Sequence, residues 1–171
     1  MEIANKQGKP FYSFVSEILE RALEVYKSGR SLGEVVDFYE FMDVYRSLGA
    51  KIVSSDVLEY LISKSYPKDN AILREKWREF GRLCAKGISV KYSRPLDMLK
   101  RFLKAKEWEL NEVSIVQKGN KVGVKCISPI LSVEGTELLA SFIDGVMHEL
   151  KYEKSGEECL KGIISLEYVK V

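Results

Sequence analysis

The sequence predicts an α+β fold, with a helical N-terminal half followed by an antiparallel sheet that has helices packed on one face. Apolar side chains recur at the three-to-four spacing of amphipathic helices through residues 10–106. Residues 111–127 alternate polar and apolar around a central turn, which is typical of a hairpin. Residues 129–171 suggest one long helix and one long strand, so the C-terminal block is predicted as helix, strand, strand, helix, strand.

Capping and breaking residues set the limits of the N-terminal helices. Pro10 suits a first helical turn, where its missing N–H is not needed. Ser31 and Glu34 form a capping box, and Tyr66-Pro67 is expected to end a helix. The predicted helices cover the tail at residues 1–8, then 10–26, 31–47, 56–64 and 70–85, with Gly87 ending the last of them.

The C-terminal block begins with a helix opened by Ser93-Arg94-Pro95. Strands are predicted at 111–117 and 121–127, joined by Lys118-Gly119-Asn120. Ser132 is expected to cap a helix over 133–151, followed by a half-buried strand over 159–169. The polar side of that helix, which is expected to face away from the core, carries Glu137, Ser141, Asp144 and His148.

Gly145 lies in the middle of this last helix, where a glycine costs about 1 kcal/mol relative to alanine. We therefore expect a packing or ligand reason for it, and close approach of the helix to the sheet is the favoured one. A ligand contact is the alternative.

Composition narrows the class of protein. Of the 171 residues, 46% are hydrophobic and 30% charged, which is typical of a globular domain. We expect cytoplasmic residence, since no secretory signal is visible. Cys84, Cys126 and Cys159 form no CxxC pair, so buried free thiols are expected rather than zinc ligands or disulfides. Abundant Lys and Glu with few Gln favour a thermophile.

Positive charge is concentrated between Arg74 and Lys106. This segment holds eleven Lys or Arg against three acidic residues, a net charge of +8, while the whole chain carries +2. Such segregation is typical of a surface that binds phosphate or nucleic acid, and a solvated helix face is the alternative. The predicted nucleic-acid-binding residues are Arg74, Arg78, Arg82, Lys86, Arg94, Arg101 and Lys104.

Residues 2–19, EIANKQGKPFYSFVSEIL, resemble the two helices of ribbon-helix-helix DNA-binding domains. In that family a short helix ends at a glycine, and the next helix carries a Ser before its apolar stripe. The resemblance implies an N-terminal segment, residues 1–30, for dimerisation or DNA binding, ahead of an α+β domain over 31–171. Because the family reads DNA with a strand before the first helix, we expect either an upstream strand or a role in dimerisation or packing. An ordinary amphipathic helix pair is the alternative.

The C-terminal block is similar to the four-vinyl-reductase domain family and, more remotely, to TRAPP-type transport subunits and haem NO-binding sensors. The likeness is carried by EVSI at 112–115, by FIDGVM at 142–147 and by ECLKG at 158–162. It implies a domain that senses a small molecule or a partner. The residues expected to line its ligand pocket are Trp77, Phe80, Cys84, Cys126, Phe142 and Gly145.

No catalytic motif is present in the sequence, and His148 is the only histidine, so we expect a non-enzymatic protein without a cofactor. The favoured hypothesis is a dimeric, nucleic-acid-associated regulator with a C-terminal domain that senses a small molecule or partner. The alternatives are a protein-interaction scaffold resembling the TRAPP-type subunits and an enzyme with a dispersed site.

Overall fold

The computed structural model describes residues 2–104 and 110–171, without the side chains of Phe41 and Lys91. Lys106 of the basic segment therefore lies outside the described residues. The chain forms two compact units, the first ending at Met42 and the second spanning Asp43–Val171. The boundary predicted after residue 30 lies inside the first unit, between its second and third helices.

The first unit is helical. It contains α1 (Glu2–Lys6), α2 (Phe11–Lys27) and the start of α3 (Leu32–Ser47). The predicted capping box before α3 is confirmed, because the Ser31 N–H donates to the Glu34 carboxylate at 2.7 Å and the Glu34 N–H donates to Ser31 Oγ at 3.2 Å.

The second unit contains α4 (Ser55–Lys91), in which two helices join at a kink. The predicted break between two helices is therefore present, but it lies two residues beyond Pro67, at Asp69, which has a φ of −124° and a ψ of 26°. A proline removes one backbone hydrogen bond and bends a helix without having to end it. Gly87 does not end the helix either; it faces the Val44 side chain, 3.2 Å from where a Cβ would lie.

After α5 (Pro95–Lys104), the predicted hairpin is confirmed. Strands β1 (Glu112–Lys118) and β2 (Lys121–Ile127) pair antiparallel, and Gly119 adopts a φ of 59° in the turn between them. Such a left-handed backbone conformation favours glycine. Leu99, Phe102 and Leu103 of α5 are buried, as the apolar spacing predicted.

The last strand was predicted wrongly as one element over 159–169. The structure has α6 (Val133–Glu149), then two antiparallel strands, β3 (Tyr152–Leu160) and β4 (Ile163–Lys170). The turn between them contains Gly162, which has a φ of +73° and whose N–H donates to Thr136 Oγ1 at 2.9 Å. β3 was missed because its sequence, YEKSGEECL, is mostly polar and lacks apolar alternation. Ser132 caps α6 as predicted, accepting from the Gly135 N–H at 3.0 Å.

The four strands form one antiparallel sheet in the order β1-β2-β4-β3. Neighbouring positions of β2 and β4, such as Val124 and Leu166, pair across the ladder and are buried on the same face. Helices cover that face, whereas Lys121 and Lys125 on the other side of β2 are exposed. The predicted α+β class is therefore confirmed.

Helix α6 lies between the sheet and α4, so it has two buried sides. The expectation that the side carrying Ser141 faces away from the core was wrong, because Ser141 is 7% exposed; His148, on the same side, is exposed. Gly145 packs against α4 and not against the sheet. A Cβ on Gly145 would lie 1.9 Å from the Arg78 carbonyl oxygen, and one on Gly81 would lie 2.1 Å from the Phe142 carbonyl oxygen. Two glycines thus allow the backbones of α4 and α6 to touch.

Candidate functional site

Two arginines of the predicted basic stripe, Arg74 and Arg78, bond acidic side chains of α6 along the line where α4 and α6 touch, which we call the α4–α6 seam. The Arg74 guanidinium and the Tyr66 hydroxyl both donate to the Glu137 carboxylate of α6. One turn further along, Arg78 Nε donates to Asp144 at 3.3 Å, and Arg78 Nη1 donates to Glu75 at 2.6 Å. These bonds hold the arginines against acidic side chains.

Arg82 continues the series, with its Nη1 donating to Glu75 at 3.5 Å. Burial opposes the charge on Arg78, but the hydrogen bond to Glu75 and the charges of Asp144 and Glu75 outweigh it and raise the pKa of the guanidinium. The carboxylates of Glu75, Glu137 and Asp144 therefore neutralise most of the positive charge that the i+4 spacing of the arginines suggested.

Strand β3 extends the seam. Lys154 Nζ donates to Asp144 at 3.5 Å and to Glu157 at 2.7 Å, and the bond from Lys154 is the main reason that the pKa of Glu157 is lowered. The Tyr168 hydroxyl is buried beside this group and has no hydrogen-bond partner among the described residues. Burial is the largest cause that raises the pKa of the Tyr168 hydroxyl, and the negative charge of Asp144 is the next largest. This polar group was missed because it depends on β3, which the sequence pattern did not reveal.

The other predicted nucleic-acid-binding residues lie away from the seam. Lys86, Arg94, Arg101 and Lys104 are exposed. Arg94 pairs with Asp97 at 2.7 Å across the first turn of α5. Of the seven predicted residues, Arg74 and Arg78 therefore bond carboxylates of α6, Arg82 bonds Glu75 of its own helix, and the other four are exposed.

The six residues predicted to line a ligand pocket lie largely in the packed core. Cys84, Cys126 and Phe142 are no more than 1% exposed, and Trp77 is half-buried. Phe142 stacks on Phe102 with ring centroids 5.5 Å apart and also contacts Phe80 at 5.9 Å. Gly145 touches the α4 backbone.

The thiols in this region are poor nucleophiles. Burial raises the pKa of Cys84 and of Cys126 to about 12. At neutral pH both are therefore almost entirely protonated, and thiolate is the reactive form.

Two of the cavities that the described residues form lie elsewhere. One, of about 320 Å³, lies where the start of α5 meets the ends of β1 and β4, and its polar lining includes Arg94, Gln117, Tyr152 and Lys170. The other, of about 470 Å³, is an apolar groove of the first unit between α2 and α3. Phe14, Ile18 and Val35 are among its lining residues.

Helix α2 presents the most exposed apolar surface near that groove. None of its residues is buried, although the spacing of Phe11, Phe14, Val15, Ile18, Leu19, Ala22 and Leu23 predicted an apolar face. Tyr12, Leu19, Leu23 and Tyr26 are 85, 57, 59 and 58% exposed. We call these four residues the α2 face. The apolar spacing in the sequence indicated an apolar side of α2, but it did not indicate that this side is exposed. It also did not include Tyr12 and Tyr26.

Two kinds of feature are absent from the described part of the chain, 2–104 and 110–171. No helix there combines the length and apolar character needed to cross a membrane. No group of three or more His, Cys, Asp or Glu there is placed to hold a metal ion.

Comparisons with known proteins give little further guidance. No family model matches the chain, and no curated protein matches it. One solved structure is similar to this chain, and it comes from a study of the function of haem distortion in the H-NOX family. The two chains share 15% sequence identity, and the TM-score is 0.43. The similarity covers 74% of this chain and 80% of that chain. At this level of similarity, no ligand or role is transferred to the present chain.

Proposed function

We propose that this protein is a non-enzymatic interaction protein that works as a self-associated assembly, held together by the α2 face. In this proposal the α+β unit is the regulatory part, which senses a small molecule or a partner. The observation that carries the proposal is the exposure of four large side chains on one helix, each more than half accessible.

Exposed apolar side chains cost free energy, and the cost is largest where they form one contiguous patch. Burial of apolar surface contributes about 25 cal/mol per Å², and contiguous exposed apolar patches commonly mark protein–protein contacts. The α2 face is supported by a 17-residue helix, long enough for a helix-to-helix contact of roughly 25 Å at 1.5 Å per residue. A second copy of the chain is the occupant that we propose.

The sensing role is assigned to the α+β unit. Its cavity of about 320 Å³ falls at the lower end of the roughly 300–1,000 Å³ range of small-molecule sites. Its lining contains Gln117, Tyr152, Lys170 and the ion pair of Arg94 with Asp97, which suits a small polar compound. The residues of the packed aromatic core would then support the fold and not contact the ligand.

Polar replacement of the α2 face tests the proposal. We expect the double change Leu19→Ser, Leu23→Ser to lower the mass measured by light scattering from that of an oligomer towards that of the 19.5 kDa chain. The reason is that both side chains lose the apolar area that drives association. Leu160→Ser is the matched control, since Leu160 is 61% exposed in the second unit. An unchanged mass in the double variant would contradict the proposal.

Nucleic-acid binding is a second candidate. It is supported by the net charge of +8 on the segment from Arg74 to Lys106 and by the exposure of Lys86, Arg94 and Lys104. Arginines held by Asp144 and Glu75 are poor probes of this function, so the exposed lysines are the ones to change. For Lys86→Glu, Lys104→Glu we expect weaker binding to duplex DNA and a salt slope reduced by about one for each phosphate that is no longer neutralised. Equal affinity and slope in the variant and the parent would exclude this surface as a nucleic-acid site.

A further inference from the structure

One carboxylate of α6 is bonded to side chains on both sides of the kink in α4. Tyr66 lies before the kink at Asp69, and Arg74 lies after it. The Tyr66 hydroxyl and the Arg74 guanidinium both donate to Glu137, and Arg74 Nε also donates to the Tyr66 hydroxyl at 3.0 Å. Each of the three groups is therefore bonded to the other two. We call Tyr66, Arg74 and Glu137 the kink cluster.

The bond between Tyr66 and Arg74 depends on the kink. The two residues are eight positions apart, which is about 12 Å along a straight helix at 1.5 Å per residue. Side chains on a straight helix meet at spacings of three or four residues. Straightening α4 would therefore separate the two groups and break the kink cluster.

The part of α4 before the kink, residues 55–68, has little other burial to hold it. All of these residues are described, and Ile62 is the only one of them that is buried. After the kink, four residues of α4 are buried: Gly81, Cys84, Ala85 and Ile88. Segments with few buried contacts open at a lower free energy than the rest of a fold. We call residues 55–68 the α4 arm.

We propose that the kink cluster is a latch that fixes the direction of the α4 arm, and that the arm moves about the kink when these bonds break. Pro67 permits the movement, because a proline leaves one helical hydrogen bond unmade. Hinges of this kind are a common element of conformational switches. The proposal rests on the regulatory role proposed for the α+β unit and adds the element that moves. Residues 48–54 join the arm to α3, so its direction acts on the chain that leads to the first unit.

The latch can open while the rest of the α4–α6 seam stays closed. The Arg74 and Glu137 side chains are 43 and 30% exposed, so water can replace their bonds. At Gly81 and Gly145, in contrast, the backbones of α4 and α6 touch. The close crossing thus gives the arm a fixed support about which to move.

The distance between two spin labels in one copy of the full chain tests the latch. The labels are attached to Ser63→Cys in the α4 arm and to His148→Cys in α6, both at exposed positions, in a Cys159→Ser background. The remaining cysteines are buried. Labelled chains are diluted with unlabelled chains, so that only distances within one copy are measured.

For the parent we expect one narrow distance distribution. For Tyr66→Phe and for Glu137→Gln we expect a distribution roughly twice as wide or wider, because each change removes a group that bonds both of the others. An unchanged distribution in both variants would overturn the proposed latch.

Tyr60→Phe is the matched control for Tyr66→Phe. It removes a hydroxyl from the same arm, at a side chain that is 61% exposed, and should keep the parent's distribution. A second pair of labels, at Lys125→Cys and His148→Cys, lies outside the arm and should give one distance in every variant. A change at both pairs would mean a general loosening of the unit and would also overturn the latch.

The result separates the latch from the proposed self-association, because every distance lies within one copy. A monomeric chain whose arm is released in Tyr66→Phe and Glu137→Gln supports the latch and contradicts self-association. An oligomer whose arm keeps its direction in both variants does the reverse.

Discussion

Replacement of Gly145 by alanine is expected to destabilise the α+β unit by about 3 kcal/mol or more, at the upper end of overpacking effects. The added Cβ would lie 1.9 Å from the carbonyl oxygen of Arg78, and a backbone atom cannot move aside as a flexible side chain can. The helices α4 and α6 would have to separate along the seam. Urea unfolding followed by circular dichroism gives the change in the free energy of unfolding.

Gly123→Ala is the matched control for Gly145→Ala. Gly123 lies in β2 of the same unit, and a Cβ there would have no atom within 4 Å. We expect a change within about 0.5 kcal/mol, as for most substitutions that touch nothing. Equal stability of the two variants would contradict the close crossing of α4 and α6.

Phe142→Ala is expected to cost about 3–5 kcal/mol, as for large-to-small changes in a packed core. Phe142 is fully buried and contacts the rings of Phe80 and Phe102, so its removal leaves a cavity that its neighbours cannot fill. Thermal or urea unfolding measures the loss. This result would assign the aromatic cluster to the fold and not to a ligand pocket.

Leu160→Ala provides the comparison for Phe142→Ala, because Leu160 is 61% exposed beside the β3–β4 turn. Its expected cost is within about 0.5 kcal/mol. If Phe142→Ala were as mild as Leu160→Ala, the aromatic cluster would be loosely packed, and a ligand cavity at that place would again be a reasonable hypothesis.

Local sequence signals predicted most of the elements correctly. The capping box at Ser31 and Glu34, the cap at Ser132 and the turn at Gly119 all depend on a few neighbouring residues, and the structure contains each of them. The errors fall where distant segments decide the outcome. β3 is an edge strand with polar residues, and its pairing with β4 provides what its own pattern lacks.

The predicted sites depended even more on tertiary contacts. The i+4 spacing of Arg74, Arg78 and Arg82 correctly places them on one side of α4, but it does not reveal that Glu137 and Asp144 of α6 lie against that side. Likewise, apolar periodicity identifies an apolar side of α2. It does not reveal that no residue of α2 is buried in the structure.

The mass of the full chain in solution, measured by sedimentation equilibrium from low to high salt, tests self-association most directly. An apolar interface is not screened by salt, whereas contacts between exposed charges weaken beyond a Debye length of about 8–10 Å at 0.1–0.15 M. We expect an oligomer of the 19.5 kDa chain whose mass persists at high salt. A monomer at every salt and protein concentration would contradict the proposed function.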